Sequence, residues 1–215
     1  MSRRFSCDDP AEREAGLAQA AEVARRDELV VLPTDTVYGL GCDAFSSTGV
    51  RDLLKAKGRG RDMPLPVLVG STRTIAGLAA FLPLAAEELI EAFWPGALTI
   101  VVKQAPSLAW DLGDTAGTVA VRMPLHPVAI ELLGRVGPMA VSSANRSGEP
   151  PATTVDEAMA QLGDSVSVYL DGGTSGAAVP STIVDLSHDT PRVLRLGALS
   201  LDALREVCPD IEAGT

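Results

Sequence analysis

Short β-rich apolar runs recur along this chain with helical stretches between most of them, and that alternation limits the possible architectures more than any other feature. Leu29–Leu32, Val67–Val69, Leu98–Lys103, Thr118–Arg122, Met139–Ser142, Val166–Leu170, Thr182–Leu186 and Val193–Leu196 read as strands. A first helix is predicted over Ala11–Arg26, behind the acidic and proline start Asp8-Asp9-Pro10. A second is predicted from an N-cap at Ser47 to an end near Gly58. Ser71–Ala80, Pro83–Phe93, Val128–Val136, Val155–Leu162 and Leu201–Val207 complete the helices, with Trp94-Pro95-Gly96 stopping the second of these. Strands separated by helices imply crossovers and a partly parallel sheet. The last three strands have little between them, which predicts some antiparallel pairing. The expected fold is one α/β domain over residues 1–215, with a mixed sheet flanked by helices and a core from about 11 to 207.

At 215 residues and 46% apolar, the chain can bury a full core without disulfide or metal staples. No apolar run approaches the roughly 18 residues of a membrane span. The opening Met-Ser-Arg-Arg-Phe-Ser lacks the apolar stretch of a signal peptide. A cytoplasmic protein with no membrane partner is expected. Cys7, Cys42 and Cys208 form no C-x-x-C pair, and neither His126 nor His188 stands at metal-ligand spacing from them, so no protein metal site is expected.

The formal charge of −10 argues against indiscriminate duplex binding, and 4% aromatic residues leave few platforms for base stacking. The basic residues are nevertheless clustered. Two of the three lysines, Lys55 and Lys57, fall within the cationic run Arg51–Arg61. Either this is a solvated helix end with cations at its negative pole, or it is an anion site suited to phosphates. In Lys57-Gly58-Arg59 a point charge and a bidentate fork can converge on one polyanion. Lys55 lies about 160° around the helix from Lys57.

Gly39-Leu-Gly41-Cys-Asp-Ala44 matches the dinucleotide pattern, but six residues separate it from the strand ending at Leu32 and no helix opens on its glycines, so a Rossmann site is not expected. Neither a Walker loop nor a nucleophile elbow occurs. Pro33-Thr-Asp-Thr-Val-Tyr-Gly-Leu40 packs hydroxyls and a carboxylate just after a buried strand. It is either a hydrogen-bonded turn or a ligand-binding strand end. Arg122 ends an apolar strand, either paired to an internal carboxylate or presented to a ligand. Ser142-Ser143-Ala-Asn145-Arg-Ser-Gly148 leaves another strand, and Arg195 ends the last one.

Taken in order, Pro33–Leu40, Lys57-x-Arg59 with Pro64-Leu65, Pro95-Gly96-Ala-Leu-Thr99, Val119-Ala-Val-Arg-Met-Pro124, Ser142–Gly148, Pro180-Ser181-Thr-Ile-Val-Asp185 and Leu194-Arg-Leu-Gly197 closely resemble the YrdC-like threonylcarbamoyl-AMP synthases. The resemblance runs from about Val30 to Ala198. It implies a twisted mixed sheet with a positively charged cavity, in the short form of the family without a second domain. It implies a nucleotidyltransferase that joins L-threonine, bicarbonate and ATP into threonylcarbamoyl-AMP and pyrophosphate. A downstream transferase would then modify adenosine 37 of tRNA, and weak RNA contact is compatible with it. The family's paired signature falls on Lys57, Arg59, Ser143 and Asn145, where catalysis is expected. Thr34, Arg122, Ser143 and Ser181 match the threonine pocket. Lys57, Arg59, Thr118, Asn145, Thr153 and Arg195 match the ATP contacts, and magnesium is expected with the triphosphate, held largely by phosphates and water. The chain departs from the pattern at Gly60, Met63, Leu68 and Leu196. Two other functions compete: an RNA-binding module without chemistry, and a carbamoyltransferase module of the kind found in larger maturation proteins.

Overall fold

The computed structural model describes residues 2–176 and 178–214. Ten strands join in one sheet: β1 (Arg3–Ser6), β2 (Val30–Leu32), β3 (Gly39–Asp43), β4 (Val67–Leu68), β5 (Leu98–Lys103), β6 (Thr118–Arg122), β7 (Met139–Ser143), β8 (Val168–Asp171), β9 (Thr182–Asp185) and β10 (Arg192–Arg195). Their spatial order is β1-β8-β2-β3-β7-β4-β6-β5-β9-β10, with parallel and antiparallel neighbours. The helices are α1 (Pro10–Ala24), α2 (Ser47–Lys57), α3 (Ile75–Leu78), α4 (Leu84–Phe93), α5 (Pro127–Val136), α6 (Val155–Leu162) and α7 (Leu201–Val207).

Several sequence expectations need correction. β1 and β3 are not marked by the sequence pattern: β1 is four residues with only Phe5 buried, and β3 carries glycines that weaken any strand signal. Those glycines have a spatial reason, since a Cβ at Gly39 would stand 2.7 Å from Val141 Cγ1. The dinucleotide-like pattern is therefore a strand packed close on β7. Ser46, not Ser47, caps α2, its side chain accepting from Gly49 N. Ser71–Ala80 is a 3₁₀ turn at Thr72–Thr74 followed by the one-turn α3. Of the closing strands, β9 and β10 pair antiparallel as expected, while β8 lies parallel between β1 and β2. The core also reaches past residues 11–207, taking in Phe5 and Ile211.

The two halves of the sheet differ in how they are covered, and this places the site. β2, β3 and β7 are buried on both faces. One face lies under α1 and α5 through Leu17, Leu132 and their neighbours; the other lies under α2 and α6 through Leu53, Ala158 and theirs. Along β6, β5 and β9 the pattern alternates instead. Val119, Val121, Ile100, Val102 and Val184 pack with Leu89 of α4 and Leu204 of α7, whereas Ala120, Val101, Lys103, Ile183 and Asp185 are partly or fully exposed. Such period-two alternation is the mark of a sheet with one solvated face.

Candidate active site

That solvated face carries the polar residues. Thr118 and Arg122 share it on β6, Thr99 shares it on β5, and Ser181 precedes β9 in the same phase. Arg122 is buried, donating from Nη2 to Asp35 Oδ1 at 2.7 Å, from Nη1 to Thr36 Oγ1 at 2.9 Å and from Nε to the Gly96 carbonyl at 2.9 Å. Burial pulls its pKa down and the Asp35 carboxylate opposes that pull. Three of the five guanidinium N–H groups are thus occupied, leaving two for a ligand. Thr34 shapes the turn that supplies these partners: its hydroxyl donates to Val37 O at 2.6 Å and accepts from Thr36 N at 3.2 Å. Asp35 is fixed further by the Leu125 amide, 2.9 Å away.

Arg195 lies beside this network. Its Nε and Nη2 donate to the Ser181 carbonyl at 3.1 and 2.7 Å, and the Ser181 hydroxyl sits 3.2 Å from Nη2 and 2.8 Å from Thr99 Oγ1. Among the described residues Arg195 has no carboxylate partner. Burial, and then the nearby Arg122 cation, lower its pKa. Two guanidiniums against the single carboxylate of Asp35 make this end of the face a positive locus.

The second cluster forms where α2 ends. Val50, Leu53 and Leu54 are its apolar stripe, and Lys57 continues that stripe one turn on, so its side chain enters the protein. Gly58, at φ 65° in the left-handed region, closes the helix and turns Arg59 toward β7. Lys57 Nζ donates to Ser143 O at 2.6 Å, Asn145 O at 2.7 Å and Asn145 Oδ1 at 3.4 Å. Burial, with Arg59 adding to it, lowers its pKa to about 8. Arg59 reaches Ser142 Oγ at 3.2 Å and Pro64 O at 3.4 Å, while its Nε is buried with no partner. It forms no ion pair among the described residues, and burial lowers its pKa against the pull of Asp62. The cationic run therefore divides. Arg51 pairs with Asp52 and Arg61 with Asp111 at the surface, Lys55 is exposed, and only Lys57 and Arg59 turn inward.

Ser143 stands on β7 beside Gly39, and no hydrogen bond within the described residues ties up its hydroxyl. Thr118, at the start of β6, lies toward the Pro64 end because β4 and β6 run parallel. It is four residues, roughly 13 Å, from Arg122, and its hydroxyl donates to Thr115 O at 2.7 Å. The Thr153 hydroxyl is likewise engaged, with Glu157 at 3.0 Å ahead of α6. Sequence reasoning named Thr36, Thr99 and Ser142 only within their motifs, with no individual role, and did not pair Asp35 with Arg122. The one available signal was that a buried strand-end arginine needs a carboxylate. Nothing in the spacing marked Asp35, 87 positions away, as that carboxylate.

An uncovered half-sheet carrying Arg195 without a carboxylate and a carboxylate-fixed Arg122, with the free Ser143 hydroxyl on β7 and Arg59 at the end of α2, defines an α/β protein suited to a small polyanionic or zwitterionic ligand. The chain belongs to the Sua5–YciO–YrdC family, whose model, described as "Telomere recombination", matches residues 22–197. A Mycobacterium tuberculosis relative, provisionally named a threonylcarbamoyl-AMP synthase, is 60% identical over 96% of this chain and 95% of its own length. The Bacillus subtilis threonylcarbamoyl-AMP synthase is 37% identical over 93% of this chain and 58% of its own. Among solved structures, Pyrococcus abyssi Sua5 complexed with L-threonine superposes with a TM-score of 0.92 at 33% identity. That match covers all of this chain but 62% of Sua5, so the chain spans less than two thirds of the archaeal protein. E. coli YciO matches at a TM-score of 0.84 and 25% identity, covering 95% of this chain and all of YciO. HypF, at 19% identity and a TM-score of 0.72, shares the fold alone.

Proposed function

We propose that this chain is an L-threonylcarbamoyl-AMP synthase, forming the adenylate that a downstream transferase uses to modify adenosine 37 of tRNA. What supports this reading is Arg122, held by Asp35 and Thr36 beside the carboxylate-free Arg195 on the polar face, together with a second inward cation, the carboxylate-free Arg59 at the end of α2. The two free N–H groups of Arg122 suit the threonine carboxylate, and Ser143 and Ser181 are the residues we assign to its hydroxyl and amine. The threonine amine adds to bicarbonate with loss of water, giving a carbamate. A carbamate oxygen then attacks the α-phosphorus of ATP, the bond to the bridging β-phosphate oxygen breaks, and pyrophosphate leaves. Negative charge grows on the phosphoryl oxygens and the leaving group, where fixed cations stabilise it without reorganisation. We assign this role to Arg59, with its buried unpaired Nε, and to Arg195.

Among the described residues no group of three or more His, Cys, Asp or Glu side chains converges on one point. We propose that the magnesium accompanying ATP is held largely by phosphate oxygens and water, where it would neutralise phosphate charge. Also among these residues, no helix is long and apolar enough to cross a membrane.

A pyrophosphate-release assay with each substrate omitted in turn tests the reading. Release is expected only with ATP, L-threonine and bicarbonate together. Equal release from ATP alone would point to a phosphohydrolase instead. Valine is expected to turn over about 5- to 150-fold more slowly than threonine, because it leaves buried hydrogen-bonding groups unpaired at about 1–3 kcal/mol.

A further inference from the structure

Of the four signature residues, two are already consumed inside the protein. Lys57 is only 3% exposed, and the three N–H groups of its ammonium meet three oxygens of the segment from Ser143 to Asn145. The main chain adds a second tie, since Ser147 N donates to Lys57 O at 2.8 Å. Asn145 is saturated as well. Its Oδ1 accepts from Lys57, and its Nδ2 donates to Arg146 O at 2.8 Å and Glu149 O at 2.7 Å. The loop 143–149 thus wraps the last turn of α2 through contacts that leave neither side chain a free donor for a phosphate.

We infer that Lys57 and Asn145 are positioning residues, a latch that fixes loop 143–149 against α2 so that the Ser143 hydroxyl and the Arg59 guanidinium present to the ligand together. This rests on the synthase reading for the identity of the ligand, but the latch itself is a property of the free protein. The family resemblance places Lys57 and Asn145 among the ATP contacts; the geometry makes them the frame that holds such contacts. A lysine gripping the triphosphate would matter only when ATP is bound. A latch matters before any ligand arrives, and losing it disturbs both the amino-acid and the nucleotide ends of the site.

The test compares Lys57→Ala and Arg59→Ala with the wild-type chain in two measurements. In the free protein, amide hydrogen exchange is expected to quicken at Asn145, Ser147 and Glu149 in Lys57→Ala, while the β3 amides keep their protection. By calorimetry without ATP, L-threonine is expected to bind Lys57→Ala about tenfold or more weakly. Arg59→Ala should leave both readouts as in wild type and weaken only ATP. If Lys57→Ala keeps wild-type exchange and threonine affinity and loses only ATP affinity, the latch is wrong and Lys57 is a phosphate contact. Should Lys57→Ala fail to fold, Asn145→Ala, which retains the two carbonyl acceptors, is expected to show the same two changes more weakly. Unchanged behaviour in that variant would overturn the proposal. If the wild-type chain itself binds no threonine, the synthase reading fails while hydrogen exchange still decides the latch.

Discussion

A buried cation is worth what its partners make it, and the residues of this site fall into three situations. Arg122 has a carboxylate, so its burial is tolerated; removing Asp35 alone would leave it uncompensated at about 3–5 kcal/mol. Lys57 has carbonyls, which satisfy its donors without neutralising its charge. Arg59 has neither a carboxylate nor a full set of acceptors, and that shortfall is what a phosphate would supply. Arg59→Ala is accordingly expected to lose about 1.5–3 kcal/mol of transition-state stabilisation, a fall of roughly 10- to 150-fold in kcat/KM, with little change in melting temperature. Lys55→Ala, at an exposed position, should stay near wild type in both. Comparable small effects at Lys55 and Arg59 in steady-state kinetics would return the whole run to a solvated helix end. From sequence alone, Lys57 and Arg59 look equivalent, and losing either is expected to leave the melting temperature nearly unchanged. The structure separates them, because Lys57→Ala also orphans buried acceptors and must cost stability. The distinction was legible in part: Val50, Leu53, Leu54 and Lys57 follow one helical stripe, which already points that lysine inward. Its acceptors, almost ninety residues later, were not legible.

At the scale of elements, the helices were easier to read than the strands. Asp9 and Pro10 open α1, Gly58 ends α2 and Pro127 opens α5, each through local chemistry that a sequence displays. β1 and β3 exist because of long-range partners: β1 pairs with β8 across more than 160 positions, and β3 fits only because glycines let it approach Val141. Ligand-site geometry depends on one such close approach. A Cβ on Gly197, just past β10, would stand 2.1 Å from Pro180 O and 2.6 Å from the Ser181 carbonyl carbon. Both are main-chain atoms with no flexible end to yield. Gly197→Ala is therefore expected to displace Ser181 from Thr99 and Arg195, raising KM for threonine at least tenfold while ATP binding through Arg59 changes less. Unaltered threonine kinetics in that variant would show that Ser181 does not line the amino-acid pocket.

For the molecule as a whole, the decisive feature is unequal cover. Four helices sandwich the β2–β3–β7 half of the sheet, whereas α4 and α7 cover only one face of the β6–β5–β9 half. The alternating pattern of Thr118–Arg122 was visible in the sequence, but which half would be left open was not, since that depends on strand order. The open face collects positive charge on a chain of net charge −10, which favours a small anionic ligand over an extended nucleic-acid surface. On the proposed reading, this face assembles a threonine, a bicarbonate carbon and an adenylate into one molecule. The most direct measurement is mass analysis of the product formed from ATP, L-threonine and ¹³C-bicarbonate. A single threonine–AMP adduct is expected that carries one ¹³C, accumulates in step with pyrophosphate, and is absent when threonine is omitted. Pyrophosphate appearing with unlabelled AMP and no adduct would contradict that reading.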